Sequence, residues 1–339
     1  MKNKTFIIAE AGVNHNGDIA TCYKLIDAAA DAKVDAIKFQ TWKTELIVSK
    51  KTERAEYQRR NMPHKNETQF EMIKRLELKD NDFIVLKKYC DDKGILFLST
   101  TTDFPSTELI APLVPLFKVS SADLTNYPFL KHLAQKGKPI ILSTGMSNLG
   151  EIEQALDIIR ENQPEIDSSF PEISILHCTT NYPCPMEEVN LNAMVTLKKA
   201  FKLQTGYSDH TLGIEVPIAA VSLGATIIEK HFTLDRTMPG PDHRASLEPN
   251  ELKDMVNAIR NIEIAMGSGI KKPSDSELKN KPIARKSIVA KCKIKQGDVF
   301  TIENLAVKRP GNGITPMRWD EIIGRKAIRT FEEDDLIEI

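Results

Sequence analysis

The sequence predicts an α/β protein in which a (β/α)₈ barrel is followed by a small, β-rich domain. Short apolar runs alternate with stretches of helical periodicity, and this alternation fills about 265 residues, a usual length for such a barrel. After that point the pattern changes to short strands and turns. The apolar runs predict eight strands, at residues 6–9, 36–37, 95–98, 116–117, 140–142, 173–176, 203–207 and 226–228.

Helices are predicted between these strands by apolar residues at helical spacing, for example at 152–159 and 194–201, with a closing helix at 249–266. A doubly wound open sheet would show the same alternation. Such sheets more often carry a glycine-rich turn after the first strand, because the backbone there binds a nucleotide phosphate. Residues 11–17 (AGVNHNG) lack the G-x-G-x-x-G spacing, which favours the closed barrel.

The C-terminal part is predicted to be a separate domain. Residues 268–283 have the composition of a linker, and strands are expected at 287–290 and 306–308 with a turn at 295–298. We therefore divide the chain into a barrel at 1–267, a linker at 268–283 and a small domain at 284–339. A domain of about 55 residues without disulfides is marginally stable alone, so we expect it to dock on another surface.

Composition and charge argue against several classes of protein. The 339 residues carry 46 basic and 47 acidic side chains, which argues against binding nucleic acid through bulk positive charge. The five cysteines are scattered and never spaced as C-x-x-C, as expected of free thiols in a reducing compartment. The apolar run at 6–9 is too short for a signal peptide, and no stretch is long enough for a membrane span. We expect a cytoplasmic protein that does not bind membranes.

Polar side chains follow the predicted strands at their carboxyl ends, which is where (β/α)₈ barrels assemble their active sites. Two lysines, two histidines and several carboxylates at such positions are more than contact with water would explain. We therefore expect one site at this face of the barrel. The candidate residues are Glu10, Lys38, Gln40, Thr100, Lys118, Ser121, Asp123, Ser143, His210, Glu229 and His231.

Two of these residues predict a metal site. His210 follows the seventh predicted strand and His231 the eighth, so a barrel places them side by side, and neutral imidazole is a common metal ligand. With two protein ligands, most coordination positions remain for water and substrate, which suits Mn²⁺ or Mg²⁺ better than structural zinc. His15 and His243 are further candidates, and a structural role is the alternative for each histidine.

Lys38 and Lys118 are expected to point into the same barrel mouth, together with the hydroxyls of Thr100, Ser121 and Ser143. Ammonium groups and short hydroxyl donors together predict a site for a small polyanion such as a phosphate or a carboxylate. For each hydroxyl, capping of the local backbone is the alternative role.

The connection between the second and third predicted strands, residues 44–80, is unusually long and rich in basic residues. Long connections in compact domains often act as lids. This segment is expected to be either a lid over an anionic ligand or a solvated surface excursion. Its basic residues include Lys50, Lys51, Arg54, Arg59, Arg60 and Lys65.

Longer motifs occur at residues 9–17 (AEAGVNHNG), 37–40 (IKFQ), 142–146 (LSTGM), 177–183 (HCTTNYP), 207–210 (YSDH), 229–235 (EKHFTLD) and 240–243 (GPDH). Together, and in this order, they resemble the motifs of the sialic acid synthases. That family condenses phosphoenolpyruvate with an N-acetylated aminosugar to form a nine-carbon 2-keto acid. Residues 285–290 (RKSIVA) and 307–313 (VKRPGNG) resemble the family's C-terminal antifreeze-like domain, so the resemblance covers nearly the whole chain.

The resemblance implies a domain-swapped homodimer in which the small domain reaches the partner subunit. It implies that His210 and His231 hold the metal and that Arg309, donated by the other subunit, contacts the sugar's acylamino group. It also implies two groups of substrate-binding residues. These are Lys38, Thr100, Lys118, Ser121, Ser143 and Thr180 for phosphoenolpyruvate, and Gln40, Tyr182 and Asp242 for the sugar.

One motif departs from the family pattern. Many members carry Ser-Gly-Glu after the fourth strand, where this chain has Ser121, Ala122 and Asp123. A carboxylate that is shorter by one methylene can still orient or deprotonate water. Asp123 is therefore the first candidate for the base that activates water, and Glu10 is the second.

The predicted function is a metal-dependent synthase that joins phosphoenolpyruvate to N-acetylmannosamine and releases phosphate. The alternatives for the sugar are a 2,4-diacetamido-trideoxy hexose that leads to legionaminic acid and a relative that leads to pseudaminic acid. The alternatives for the reaction are an aldolase or a seven-carbon sugar-acid synthase on the same barrel. A silent barrel that binds phosphosugars is the non-enzymatic alternative, and it would be expected to have lost metal or phosphate ligands.

Overall fold

The computed structural model of the protein describes residues 4–63 and 66–339. It divides into two compact units, one ending at Gly267 and one starting at Ser268. The first unit contains a closed barrel of eight parallel strands, in sequence order around the barrel, which confirms the predicted fold class. The strands are β1 (Phe6–Gly12), β2 (Ala36–Thr41), β3 (Leu96–Thr101), β4 (Phe117–Val119), β5 (Ile140–Ser143), β6 (Ile173–His177), β7 (Gln204–Asp209) and β8 (Ile227–His231).

Helices connect these strands and pack around the barrel. Their apolar faces and the strands form one continuous core, so the strands are buried on both sides and read as apolar runs. Several helices begin at a residue that caps them; Asp18, for example, accepts hydrogen bonds from the backbone N–H groups of Ala20 and Thr21. The helices of this unit are α1 (Ile19–Asp31), α2 (Thr44–Ile47), α3 (Glu56–Asn61), α4 (Gln69–Leu76), α5 (Asp80–Lys93), α6 (Phe104–Ile110), α7 (Tyr127–Ala134), α8 (Leu149–Asn162), α9 (Leu191–Phe201), α10 (Glu215–Ser222) and α11 (Pro249–Ala265).

The strand register determines which polar residues meet at the carboxyl ends of the strands. Glu10 on β1 lies beside Lys38 on β2 and also beside His231 on β8. Thr100 on β3 lies beside Lys118 on β4. Because side chains alternate along a strand, these residues and their partners point to the inside of the barrel mouth.

The long segment after β2 is folded. It contains the short helices α2, α3 and α4, and Met62, Met72 and Leu76 pack with Val13 and Trp42 in a small apolar cluster separate from the main core. The segment is therefore folded on the barrel, while Lys50, Lys51, Arg59 and Arg60 are exposed, and its role as a lid stays a prediction. Lys65 lies outside the residues that the structure describes.

The second unit has its own small apolar core, formed by residues such as Ile288, Phe300 and Phe331. It contains a two-stranded antiparallel sheet of β9 (Ser287–Ala290) and β10 (Leu305–Lys308), at the positions where strands were predicted. Helix α12 (Asp275–Ala284) precedes the sheet and helix α13 (Trp319–Ile322) follows it. Residues 275–283, which the composition assigned to a linker, are thus helical, because Ser274 and Glu277 form a capping box.

The five cysteines are free thiols, as predicted, and Cys292 is the exposed one. Within residues 4–63 and 66–339, none of the helices is long and apolar enough to cross a membrane.

Candidate active site

A cavity of about 230 Å³ lies at the carboxyl ends of the barrel strands. The candidate residues line this cavity, except Asp123, Arg309 and the further metal candidates His15 and His243. The predicted residues that the structure brings together here are Glu10, Lys38, Gln40, Thr100, Lys118, Ser121, Ser143, Thr180, Tyr182, His210, His231 and Asp242. The strand ends therefore form one polar site, as the barrel topology requires.

Lys38 is the cation at the centre of one side of the cavity, and its side chain is only 3% exposed. Its Nζ lies 2.7 Å from Oε2 of Glu10 and donates a hydrogen bond of 2.8 Å to the hydroxyl of Thr100. Burial alone would lower the pKa of Lys38, but the charges of Glu10 and Glu229 outweigh burial and raise it. Lys38 is therefore a charged ammonium group held ready for an anion.

Glu229 links the two lysines of the site. Its carboxylate oxygens lie 3.6 Å from Nζ of Lys38 and 3.5 Å from Nζ of Lys118, and it accepts a hydrogen bond of 2.9 Å from Ser208. Burial would raise the pKa of Glu229, but Lys118 and Lys38 lower it to about 2. Glu229 therefore lies between two buried ammonium groups, and Glu10 is a second carboxylate beside Lys38.

Lys118 differs from Lys38 in its charge balance. It donates a hydrogen bond of 2.7 Å to the hydroxyl of Ser143, and burial lowers its pKa although the charge of Glu229 opposes this effect. An anionic ligand near Lys118 would supply the missing negative charge. We expect such a ligand to be bound most strongly where it touches both lysines.

Hydroxyl groups and a backbone N–H surround the lysine side of the cavity. The backbone N–H of Gly145 donates to the hydroxyl of Ser121 at 2.9 Å. A Cβ atom at position 145 would lie 2.5 Å from Oγ1 of Thr180 and 3.0 Å from Sγ of Cys178, so only glycine fits there. The close approach brings three polar side chains to one point of the cavity wall.

The two predicted metal ligands are neighbours. The rings of His210 and His231 have centroids 5.5 Å apart, and Tyr182 packs on both of them. Burial lowers the pKa of both histidines, and for His231 the charges of His210 and Lys38 lower it further. Both rings are therefore neutral, as metal binding requires.

Both rings have a nitrogen that is free to bind a divalent cation. Nδ1 of His210 lies 2.6 Å from the carbonyl oxygen of Thr179, so this nitrogen carries the proton and Nε2 keeps its lone pair. Nδ1 of His231 is buried and has no hydrogen-bond partner. Within the described ranges, no group of three or more His, Cys, Asp or Glu side chains is arranged to hold a metal, so water and substrate would complete the coordination of an ion held by this pair.

A buried ion pair connects the strands that carry the two histidines. Nζ of Lys230 lies 2.5 Å from Oδ2 of Asp209, and it donates a second hydrogen bond to the carbonyl oxygen of Thr211. Asp209 and Lys230 are also partners in the β7–β8 register, directly before His210 and His231. They face away from the cavity, because Ser208 and Glu229 line it and side chains alternate along a strand.

Asp123 does not line the cavity. Its carboxylate accepts hydrogen bonds of 3.1 Å from Ser120 and 3.2 Å from Asn126, so both oxygens hold the loop after β4. Glu10, the second candidate for a base, lines the cavity and accepts a hydrogen bond of 2.9 Å from Gln40. Burial raises the pKa of Glu10, although Lys38 opposes this effect. A carboxylate with a raised pKa is a stronger base than a normal one.

The opposite side of the cavity is formed by Gln40, Tyr182 and Asp242. Burial, with a further contribution from the charge of Glu10, raises the pKa of Asp242 to about 7. Helix α3 of the long segment adds Tyr57, whose ring centroid lies 5.0 Å from that of Tyr182. The backbone of this side is held by Asn61, which donates to the carbonyl oxygen of Pro241 at 2.6 Å.

His15 and His243, the further metal candidates, lie outside the cavity. Nδ1 of His243 lies 2.7 Å from the hydroxyl of Thr233, and Nδ1 of His15 accepts a hydrogen bond from the backbone N–H of Gly17. Burial lowers the pKa of each to about 4. These contacts give both rings a structural role between the loops after β1 and β8.

Arg309 belongs to the second unit. Its side chain is exposed, and its Nε donates a hydrogen bond of 3.1 Å to the carbonyl oxygen of Ala284.

Glu229 is among the predicted strand-end residues but has no specific predicted role. Tyr57 is not predicted, because nothing in the sequence places it in the site.

Relatives match the chain over nearly its whole length. A model described as the NeuB family matches residues 25–271, and a model described as the SAF domain matches residues 285–338. The N,N'-diacetyllegionaminic acid synthase of Campylobacter jejuni is 51% identical over 338 residues, which cover 98% of this chain and 99% of that protein. The protein of the same name from Legionella pneumophila is 46% identical over 323 residues. These residues cover 95% of this chain and 90% of that protein. The crystal structure of N-acetylneuraminic acid synthetase from Leptospira borgpetersenii in complex with citrate has a TM-score of 0.71 at 37% identity, covering 82% of this chain and 90% of that one.

Proposed function

The chain belongs to the NeuB family, and from that premise we propose that it condenses phosphoenolpyruvate with 2,4-diacetamido-2,4,6-trideoxymannose. The products are N,N'-diacetyllegionaminic acid and phosphate. The observation that carries the reaction class is the single cavity lined by two buried lysines and two buried neutral histidines. The choice of sugar rests on the relatives of this name at 51% and 46% identity.

This choice of sugar revises the first choice of the sequence analysis. N-acetylmannosamine was placed first and the diacetylated sugar second. The similarity to the N-acetylneuraminic acid synthetase of known structure is lower, at 37% identity, so the order is reversed. The sugar that leads to pseudaminic acid remains an alternative for the same assay.

Lys38 and Lys118 bind phosphoenolpyruvate in this proposal, with the hydroxyls of Thr100, Ser121 and Ser143 and that of Thr180. The ammonium groups balance the charge of the phosphate and carboxylate groups, and the hydroxyls donate hydrogen bonds. Gln40, Tyr182 and Asp242 bind the sugar on the other side of the cavity. This arrangement brings carbon 3 of phosphoenolpyruvate and the sugar's aldehyde carbon together.

His210 and His231 hold a divalent cation, Mn²⁺ or Mg²⁺, in this proposal. When bound, the cation supplies Lewis-acid polarisation of the sugar's aldehyde oxygen. The support is the neutral state of both rings, the hydrogen bond that leaves Nε2 of His210 unprotonated, and the unpartnered nitrogen of His231.

The reaction then needs charge balance and one activated water. Carbon 3 of phosphoenolpyruvate attacks the aldehyde carbon, and positive charge develops at carbon 2. Water adds to carbon 2, and the bond between carbon 2 and the phosphate oxygen breaks to give the keto acid and phosphate. Glu10 accepts one proton of the water, and the former aldehyde oxygen takes up one proton to become a hydroxyl group. The hydroxyl proton of the intermediate leaves with the phosphate, which Lys38 stabilises.

A homodimer completes the site in this proposal. Arg309 of one subunit reaches the acylamino group of the sugar bound by the other subunit. A rigid guanidinium group suits this contact, because it can donate two hydrogen bonds in one plane.

The test measures phosphate release from phosphoenolpyruvate with each of the three sugars. One set of assays contains a chelator, and a second set contains added Mn²⁺ or Mg²⁺. Mass spectrometry then identifies the product. Fastest turnover of the diacetamido sugar, and only with metal, is the expected result. His210→Ala and His231→Ala should lose both Mn²⁺ binding and activity, whereas His132→Ala, on helix α7, should keep both. Full turnover in chelator would contradict the proposed metal requirement. Faster turnover of N-acetylmannosamine would contradict the proposed sugar substrate.

A further inference from the structure

A second cavity, of about 1080 Å³, adjoins the catalytic cavity. Tyr57, Cys178 and Thr180 line both cavities, so the two share a wall. The second cavity lies over the carboxyl ends of β5 and β6, between the starts of helices α8 and α9, and helix α3 of the long segment contributes to it. The reaction proposed above gives no role to this space.

The catalytic cavity is small for the two substrates of the proposed reaction. Cavities that hold one drug-sized ligand usually measure roughly 300–1,000 Å³. The catalytic cavity, at about 230 Å³, is smaller than this range, yet it has to receive phosphoenolpyruvate and the reacting end of a sugar together. The second cavity offers neighbouring space for part of the sugar, because Tyr57, which packs on Tyr182 of the sugar side, lines both cavities.

The second cavity presents amide groups that have no partners. The side chains of Asn181, Asn190 and Asn192 line it without a hydrogen-bond partner in the described part of the chain, and those of Asn190 and Asn192 are exposed and open to a ligand. A side-chain amide can both donate to and accept from an amide group of a ligand. Apolar side chains, among them Met146 and Leu197, line the same space and can contact a methyl group.

The charges of this cavity argue against a phosphorylated sugar. Among the described residues that line it, Arg60 is the only lysine or arginine, and Glu56 and Glu188 line it as well. Two carboxylates against one guanidinium group repel a phosphate, whereas they leave the binding of a neutral acylamino group unaffected. The cavity therefore favours a neutral, amide-bearing substituent.

We propose that the second cavity binds the second acylamino group of the sugar, the group that N-acetylmannosamine lacks. This inference rests on the proposed function and adds a specificity determinant to it. The amides of Asn190 and Asn192 bind the acyl carbonyl and N–H, and the apolar wall receives the methyl group.

The test narrows the second cavity from helix α9. Ala193→Phe and Thr196→Phe each place a ring in it, and Asn192→Leu removes one amide at similar size. Lys199→Phe is the matched control, because Lys199 is exposed on the same helix and does not line the cavity. The KM for the diacetamido sugar and the KM for phosphoenolpyruvate are measured for all four variants and the wild-type protein.

We expect the filling variants to raise the KM for the diacetamido sugar about tenfold or more, a range usual for changes in a substituent pocket. The KM for phosphoenolpyruvate should stay within about twofold of the wild-type value, and the control variant should match the wild-type protein in both. If the variants match the control, or raise both KM values equally, the assignment of the cavity is wrong. If the wild-type protein itself releases no phosphate with this sugar, the proposed function fails instead.

Discussion

Lys230 and Asp209 form an ion pair with no exposed surface, 2.5 Å between Nζ and Oδ2, directly before the two histidines of the site. The pair joins β7 to β8 directly before His210 and His231, which we propose to hold one cation. Neither side chain contacts the two rings, so any effect on them would pass through the position of the two strand ends. We therefore treat Asp209 and Lys230 as positioning residues.

The first prediction separates positioning from stability. Lys230→Met leaves a buried carboxylate without its partner, so the free energy of unfolding should fall by about 3–5 kcal/mol. Adding Asp209→Leu removes that carboxylate and should restore much of the stability. Mn²⁺ affinity, measured by electron paramagnetic resonance, should stay at least about tenfold below the wild-type value in both variants. If the double variant recovers Mn²⁺ affinity together with stability, the pair has a structural role only.

The second prediction concerns Lys38. Lys38→Met should raise the KM for phosphoenolpyruvate by about 10- to 100-fold, because a charge-assisted hydrogen bond contributes about 1.5–3 kcal/mol. The KM for the sugar should change less than about threefold. Lys50→Met, at an exposed lysine of the long segment, is the control. Circular dichroism must confirm folding, since the variant leaves Glu10 and Glu229 without this cation. A larger effect on the sugar would argue against the assignment.

The third prediction distinguishes the two candidate bases. Glu10→Gln keeps the size of the side chain and removes its basicity, so kcat should fall by about 100-fold or more. Asp123→Asn should lower kcat by less than about tenfold, because the carboxylate of Asp123 faces its own loop. Steady-state phosphate release at saturating substrates measures kcat for both variants. A larger loss in the Asp123 variant would return the role of base to that residue.

The fourth prediction follows from the pKa of Asp242, which is about 7 in the folded protein against an ordinary value of 3.8. Between these values the folded protein keeps a proton that the unfolded chain has lost, so this group makes stability fall as pH rises. Asp242→Asn removes that loss. In chelator, its Tm should exceed the wild-type Tm by several degrees at pH 8 and by much less at pH 5.

The control for this comparison is Asp157→Asn, because Asp157 is an exposed residue of helix α8. Its Tm should follow the wild-type value at both pH values. Equal differences between Asp242→Asn and the wild-type protein at pH 5 and pH 8 would mean that Asp242 does not titrate in this range.

The fifth prediction tests whether Arg309 acts on the partner's site. Arg309→Ala and His231→Ala subunits should each be inactive alone. Dimers that contain one of each should recover activity, because one of their two sites then has both an intact barrel and an intact donated arginine. Mixed dimers that are confirmed by mass and stay inactive, while both parents are folded, would show that Arg309 does not act in trans.

Much of the site was predictable because strand patterns are local. Apolar runs and the polar residues that follow them placed Lys38, Lys118, His210 and His231 at strand ends, and the barrel topology then requires strand ends to meet. Longer motifs added Asp242 and Tyr182 through the family resemblance. These residues all line the cavity.

Other features depended on contacts that the sequence does not encode locally. The motif placed Asp123 in the site, but Ser120 and Asn126 hold its carboxylate in the loop. The long segment gave only two alternatives, whereas its packing against Trp42 and Val13 brings Tyr57 to the cavity.

The sequence by itself determined the fold class, the strand ends and the residue types of the site, because each is a property of neighbouring positions along the chain. The tertiary structure decided which carboxylate faces the cavity, that Glu229 lies between two lysines, and that a second cavity shares a wall with the first. Those relationships join segments far apart in the sequence, and closure of the barrel sets the distances between them.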